Sequence, residues 1–145
     1  MSRKGYSYQG EEENIAKALA RGVEVSPKAA IEIASNIRGK ELSKAKALME
    51  RVMEGKEPVR YTRFNRGVGH RKGSIGPGRF PLKASSAVLG LLEEVEANAE
   101  YKGLNTENLI ISHIAANRGH VQQGRFKGRA HNTPTTNLEV VVKEK

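Results

Sequence analysis

The chain has 145 residues, of which 37% are apolar, no Cys, and a formal net charge of +9. That length makes about one domain with one modest core. It contains no run of about 20 apolar residues to span a bilayer, no signal-peptide core near its N-terminus, and no thiol for a disulfide or thiolate metal site. Every acidic residue is Glu, which removes the Asp that commonly holds Mg²⁺ in phosphoryl-transfer sites.

Met1 to Gly10 is polar and carries Arg3, Lys4, Tyr6 and Tyr8. It reads either as a loose terminus or as a basic tail whose tyrosines stack on RNA bases. Ile15 to Val25 is ambiguous. Ile15, Ala18 and Leu19 fit a helical face, Val23 and Val25 alternate like a strand, and Gly22 argues against one unbroken helix. The next segment predicts a helix: Ser26 as N-cap, Pro27 in the first turn, an apolar face of Ala30, Ile33, Ala34 and Ile37, and Gly39 as a left-handed stop. A second helix is expected from about Leu42 to Glu54, with Ala45, Leu48, Met49, Val52 and Met53 facing the core, both methionines as filler.

From Val59 to Lys83 there are seven Arg or Lys residues and no carboxylate: Arg60, Arg63, Arg66, Arg71, Lys72, Arg79 and Lys83. The segment has no sustained hydrophobic period, and its glycines predict a chain that is mobile in isolation. Phe64 and Phe80 either anchor its ends on the body or stack on bases. A third helix, roughly Leu82 to Lys102, has a buried face of Ala84, Val88, Leu91, Leu92, Val95 and Ala99. Its glutamates gather in the C-terminal half and mark a side facing away from nucleic acid.

Leu109 to Ala116 reads as a strand, and Leu138, Val140 and Val142 mark another. Between them lies a second acid-free run, Arg118 to Asn137, with Arg118, Arg125, Lys127 and Arg129 among glycines. The simplest topology is a long antiparallel hairpin whose base belongs to the body and whose polar middle projects.

Signs of catalysis are weak. His70, His113, His120 and His131 have no zinc-motif spacing. His113, in a strand, reads as structural, and the other three sit among the basic residues, where hydrogen bonding to RNA is expected. The glycine-rich pieces Gly73–Gly78 and Gly124–Arg129 match neither a P-loop nor a dinucleotide fingerprint. No enzyme, metal or cofactor is therefore expected. The basic runs exclude the carboxylates that a merely solubilising surface mixes in. They also place Arg among Gly, so that backbone and guanidinium groups can both reach phosphates. RNA is the expected partner, through contacts that position more than they specify.

These residues carry a resemblance. Val25-Ser26-Pro27-Lys28, Ile37-Arg38-Gly39-Lys40, Ala97-Asn98-Ala99-Glu100, the strand Asn108–Ala115, Gly128-Arg129-Ala130 and the run Thr135–Val142 resemble, in order along nearly the whole chain, the universal large-subunit ribosomal protein twenty-two family. The Val59–Pro81 insertion and the Tyr6-Ser7 start look like its archaeal and eukaryotic branch. The resemblance implies an α+β fold: three helices packed on a small three-stranded antiparallel sheet, with a long projecting β-hairpin. One domain is expected over 1–145, with the hairpin at about 108–142 and its tip at about 119–130.

The resemblance also implies a non-catalytic constituent of the cytoplasmic large ribosomal subunit. Its partners would be 23S-type rRNA, neighbouring ribosomal proteins and the nascent polypeptide, and its hairpin would help form the exit-tunnel wall. A free-standing RNA-binding protein or RNA chaperone is the alternative. Lys28, Arg38 and Lys40 correspond to rRNA-contacting body positions, and Arg125, Arg129 and His131 fall on the hairpin. Arg60, Arg63, Arg66, His70, Arg71, Lys72, Arg79, Lys83, Arg118 and Lys127 complete the expected rRNA set. Val121, Gln122, Gln123, Gly124, Arg125 and Phe126 are the expected tunnel tip. The sequence departs from the family pattern at Ala29, Phe126-Lys127 and Asn137.

Overall fold

The computed structural model describes residues 5–10 and 13–145; the expected basic tail residues Arg3 and Lys4 lie outside them. The ambiguous segment after them is a strand, β1 (Ile15–Val23). Ala16 and Ala18 alternate into the core while Lys17 and Leu19 take the other face. Helices α1 (Pro27–Ile37) and α2 (Leu42–Met53) follow. Ser26 occupies the N-cap position of α1 through its carbonyl, without a side-chain cap bond. Gly39, at φ 75°, turns the chain after that helix. Met49 is fully buried as expected, but Met53 is 40% exposed. It stands in the last turn of α2, beyond the stripe that Ala45, Leu48, Met49 and Val52 bury, so it is not core filler.

The basic insertion is not a structureless excursion. It folds into a small antiparallel sheet of β2 (Val59–Arg60), β3 (His70–Arg71) and β4 (Gly76–Arg79), with β4 in the centre. Val59 and Tyr61 are buried, and Phe64, Val68 and Phe80 pack partly against the main core. Helix α3 (Leu82–Tyr101) then buries the stripe read from its sequence, together with Ser85.

The main sheet is completed by β5 (Leu109–Arg118) and, after the hairpin, β8 (Thr136–Glu144). Strand β8 is central, antiparallel to both β1 and β5. Leu138, Val140 and Val142 point into the core against the helices. Glu139 and Val141 are equally buried, though they lie on the opposite face. There the N-terminal segment straps across the sheet. The Ser7 N–H donates to Glu139 Oε2 at 2.9 Å and its hydroxyl to Oε1. His113 Nε2 meets the same carboxylate at 3.0 Å, Tyr8 lies 5.5 Å from the His113 ring, and Lys17 Nζ sits over the rings of Tyr6 and Tyr8. Burial raises the pKa of Glu139, but the hydrogen bonds from Ser7 and His113 outweigh it and hold the carboxyl below its ordinary value.

The hairpin leaves the body through a joint. Pairing of β5 with β8 ends at Arg118 and Thr136; a separate ribbon of β6 (Gln122–Phe126) and β7 (Arg129–Thr133) begins at Gln122 and Thr133. Gly119 donates to Thr135 O at 2.8 Å, and the Thr135 hydroxyl donates to His120 O. A Cβ on Gly119 would clash with the Thr135 hydroxyl oxygen and lie 3.2 Å from the Thr135 backbone, so a side chain at 119 would crowd the close approach of the two chains.

Candidate nucleic-acid interface

All the cations and histidines expected at the interface are exposed. Among the described residues, Lys83 alone of that set has a carboxylate at ion-pair distance, Glu24 at 3.8 Å. The cations of α2 and its C-terminal turn behave differently. Lys44 pairs with Glu41, Lys46 with Glu96, Arg51 with Glu57 and Lys56 with Glu54. The hydrogen bond from Lys44 draws the Glu41 carboxyl below its ordinary value. Positive charge is thus neutralised around α2 and left uncompensated on the insertion and the hairpin.

The unpaired charges form three groups. In the first, Lys28 of α1 joins Arg63, Arg66 and Arg79 of the insertion around a cleft of about 530 Å³, whose walls include Tyr61, Phe64 and Phe80. Lys28 and Arg63 both sit over the Phe64 ring, at 5.7 and 5.4 Å, an arrangement that holds the two cations near each other despite their repulsion. Burial pushes the Tyr61 phenol above its ordinary value; Arg79 opposes that rise and Glu32 adds to it. Arg60, His70, Arg71, Lys72 and Lys83 lie outside this cleft. Arg71 donates from Nε to Gly78 O at 3.0 Å and stacks on Phe80.

Arg38 and Lys40 make the second group, at the β5 edge. The Arg38 guanidinium donates to Ile114 O at 2.9 Å, and the Lys40 carbonyl accepts from Ile111 N–H. Backbone pairing of residues 39–41 with β5 covers that strand's outer edge and fixes where both cations emerge.

The third group is the ribbon, where Arg125, Lys127, Arg129 and His131 are all exposed. Its apex is the Lys127-Gly128 turn, with φ of 49° and 76° between the paired residues Phe126 and Arg129. The apex falls within the expected 119–130 tip, and the expected tunnel-tip residues Val121–Phe126 run along the arm that leads up to it, with Val121, Gln122 and Gln123 at the joint end. Arg118 closes the body ladder opposite Thr136. The joint opens on a cleft of about 600 Å³ lined by Arg21, Asn117, His120, Gln122 and Asn137. Arg21 was not singled out from the sequence, because nothing in β1 indicates that its end meets the hairpin root.

Two further residues gave no signal in the sequence. Glu32 is 0% exposed, and its carboxylate accepts from the N–H groups of Thr62, Arg63 and Phe64 at 3.0, 2.8 and 2.7 Å. One turn along α1, Asn36 Nδ2 donates to Arg60 O at 2.9 Å. Both lie in a helix that reads simply as amphipathic.

Among the described residues no cluster of His, Cys, Asp or Glu is arranged to hold a metal ion, and no helix is long and apolar enough to cross a membrane.

A family model described as ribosomal protein L22p/L17e matches residues 18–143, which takes in the sheet, all three helices, the insertion and the hairpin. The chain belongs to the L22p/L17e family. It is 47% identical to the large ribosomal subunit protein uL22 of Methanoculleus marisnigri and 42% identical to that of Methanococcoides burtonii, with 99% of each chain covered in both comparisons. It is also 46% identical to the uL22 of Methanopyrus kandleri, over 93% of this chain and 90% of that one. The basic insertion lies within the span matched to the L22p/L17e family, so the unpaired charges belong to a region that the family model itself covers.

Proposed function

We propose that this protein is a structural constituent of the large ribosomal subunit that binds large-subunit rRNA, supports its folding, and contributes its hairpin to the wall of the polypeptide exit tunnel. Membership of the L22p/L17e family supports the assembly. The observation that carries the mechanism is the split in charge pairing: cations around α2 sit on glutamates, whereas among the described residues those on the insertion and ribbon, Lys83 apart, are exposed and have no carboxylate partner. Uncompensated guanidinium and ammonium groups release counterions when they meet phosphates, and that term dominates affinity for a polyanion.

In this reading the cleft cations Lys28, Arg63, Arg66 and Arg79 clamp the RNA backbone beside the body, and Arg38 and Lys40 grip it at the sheet edge. The ribbon passes between RNA segments with Arg125, Arg129 and His131 facing phosphates on either side, and Arg118 meets the backbone at its root. Its apex, Phe126 to Arg129, reaches furthest from the core and is the part assigned to the tunnel wall near the nascent chain. A two-stranded ribbon of exposed residues is marginal alone, so RNA packed on both faces completes its fold.

Cosedimentation with purified large subunits tests the assignment. One copy per subunit, retained at moderate salt, is the expected result. Comparable affinity for unrelated RNAs without stoichiometric residence on subunits would show a free-standing RNA-binding protein instead.

A further inference from the structure

Three consecutive backbone N–H groups, those of Thr62, Arg63 and Phe64, converge on one point. Such a run of donors is an anion-binding nest of the kind that elsewhere holds phosphate. Here the anion is internal. The Glu32 carboxylate fills the nest, the Thr62 hydroxyl adds a longer contact at 3.4 Å, and no cation among the described residues pairs with it. A carboxylate offers acceptors only, which matches a site made of donors only. Asn36 Nδ2 fixes the same stretch from its other end by donating to both Glu32 O and Arg60 O, at 2.7 and 2.9 Å. Between these two fastenings Tyr61 is buried, and its backbone N–H donates to Pro77 O at 2.9 Å. Residues 60–64 are therefore held at every step, although their Arg side chains point out to solvent.

We propose that Glu32 is a positioning residue for RNA binding: a built-in anion that sets the insertion in its RNA-receiving shape, so that Arg63 and Arg66 converge with Lys28 on the cleft before RNA arrives. The inference rests on the reading of the insertion as rRNA-facing. Glu32 itself touches no RNA. It cancels the dipoles of the nest, which a free phosphate would otherwise occupy, and leaves the guanidinium groups as the only RNA-directed charge on that turn. Its contribution to affinity is preorganisation, because a loop already in its bound shape loses less freedom on binding.

The test uses the full chain and archaeal large-subunit rRNA transcribed in vitro. Glu32→Gln keeps the shape but sets an NH₂ against backbone N–H donors. It is expected to lower affinity about tenfold through lost preorganisation, with hydrogen-exchange protection lost at Thr62–Phe64. The milder Asn36→Ala is expected to act in the same direction and covers the case in which Glu32→Gln does not fold. The decisive readout is a double-mutant cycle with Arg63→Ala/Arg66→Ala. If Glu32 works through those arginines, Glu32→Gln costs less than about twofold in their absence, a strong non-additivity between coupled residues. Additive losses, or full affinity in Glu32→Gln, overturn the positioning role while leaving the insertion on RNA. If Arg63→Ala/Arg66→Ala alone changes nothing, the RNA-facing reading of the insertion fails, and the proposal fails with it.

Discussion

Helix α2 and the basic insertion are neighbours in the chain and both carry several cations, yet they use them in opposite ways. Around α2 each of Lys44, Lys46, Arg51 and Lys56 has a glutamate partner. On the insertion, Arg60, Arg63 and Arg66 have none among the described residues and are exposed. Most of the α2 pairs are surface pairs, each worth about 0–1 kcal/mol, so they add little stability. Their larger consequence is to remove α2 from the field that RNA meets. Net charge therefore says less about where RNA binds than the distribution of partners does.

The largest test of that contrast compares two triple variants with the same change in charge. Arg60→Gln/Arg63→Gln/Arg66→Gln removes three unpaired cations, and Lys44→Gln/Arg51→Gln/Lys56→Gln removes three paired ones. Each lost phosphate contact makes the plot of log affinity against log salt shallower by roughly 0.7–0.9. The insertion variant should therefore lose about two units of slope and about a hundredfold in affinity near 0.1 M salt. The α2 variant should lose less than about threefold, since its cations already have anionic partners. Equal losses in filter-binding titrations would mean that overall charge, not placement, governs recognition.

A smaller effect separates the ribbon from the body. Arg125→Gln/Arg129→Gln should weaken rRNA binding and leave the thermal transition of the free protein unmoved, because both side chains lie in strands without a buried residue. Lys46→Ala works the other way. Lys46 and Glu96 join α2 to α3 with side chains only 19% and 33% exposed, so its loss should cost about 1 kcal/mol of stability and spare RNA binding. Calorimetry on both variants checks the pair of expectations. A collapsed transition in the double Arg variant would show that the ribbon is part of the body's cooperative unit.

How much of this was legible in the sequence depended on whether a side chain's role was local. The stripe Ala84, Val88, Leu91, Leu92, Val95 and Ala99 was legible because helical periodicity and burial have the same cause, and it is buried as read. The unpaired cations were legible as acid-free runs. Glu32 was not, since one buried glutamate in an amphipathic helix looks like any surface glutamate until the donors of residues 62–64, thirty positions away, are folded onto it. The same holds for Glu139. Its alternation with Leu138 and Val140 reads as an outward, solvated position, and only the strap from residue 7 buries it. Met53 failed in the opposite direction: its spacing fits the stripe, but in the last turn of α2 it is Val52 that is buried, and Met53 beside it is 40% exposed.

The strap gives a pH test. The Glu139 carboxyl is held below its ordinary value by Ser7 and His113 against the opposing effect of burial. A carboxyl with a depressed folded-state pKa stabilises the fold fully above its unfolded value, and that contribution is lost as pH falls through the folded one. The strap should accordingly stay closed at neutral pH and loosen only on acidification below the ordinary carboxylate range. Glu139→Gln should flatten that part of the stability profile. Exchange protection at Ser7 followed against pH would decide it, and unchanged acid sensitivity in Glu139→Gln would place the titrating group elsewhere.

The smallest effect lies at the apex. A two-residue turn with positive φ at both central positions favours Asn-Gly, and this chain has Lys127-Gly128 at φ 49° and 76°. A lysine in the left-handed region costs about 1 kcal/mol relative to a residue at ease there, so the free ribbon is less populated than the turn permits. Lys127→Asn should raise ribbon population in the free protein, visible in cross-strand contacts between Phe126 and Arg129 by NMR. Binding then discriminates between two uses of the residue. If shape limits the ribbon, Lys127→Asn binds rRNA slightly better despite losing a charge; if the ammonium contacts phosphate, it binds slightly worse and the salt slope becomes shallower by just under one unit, roughly 0.7–0.9. The second outcome is expected, because a strained lysine at the apex of an otherwise regular turn is explained by its charge and not by its backbone.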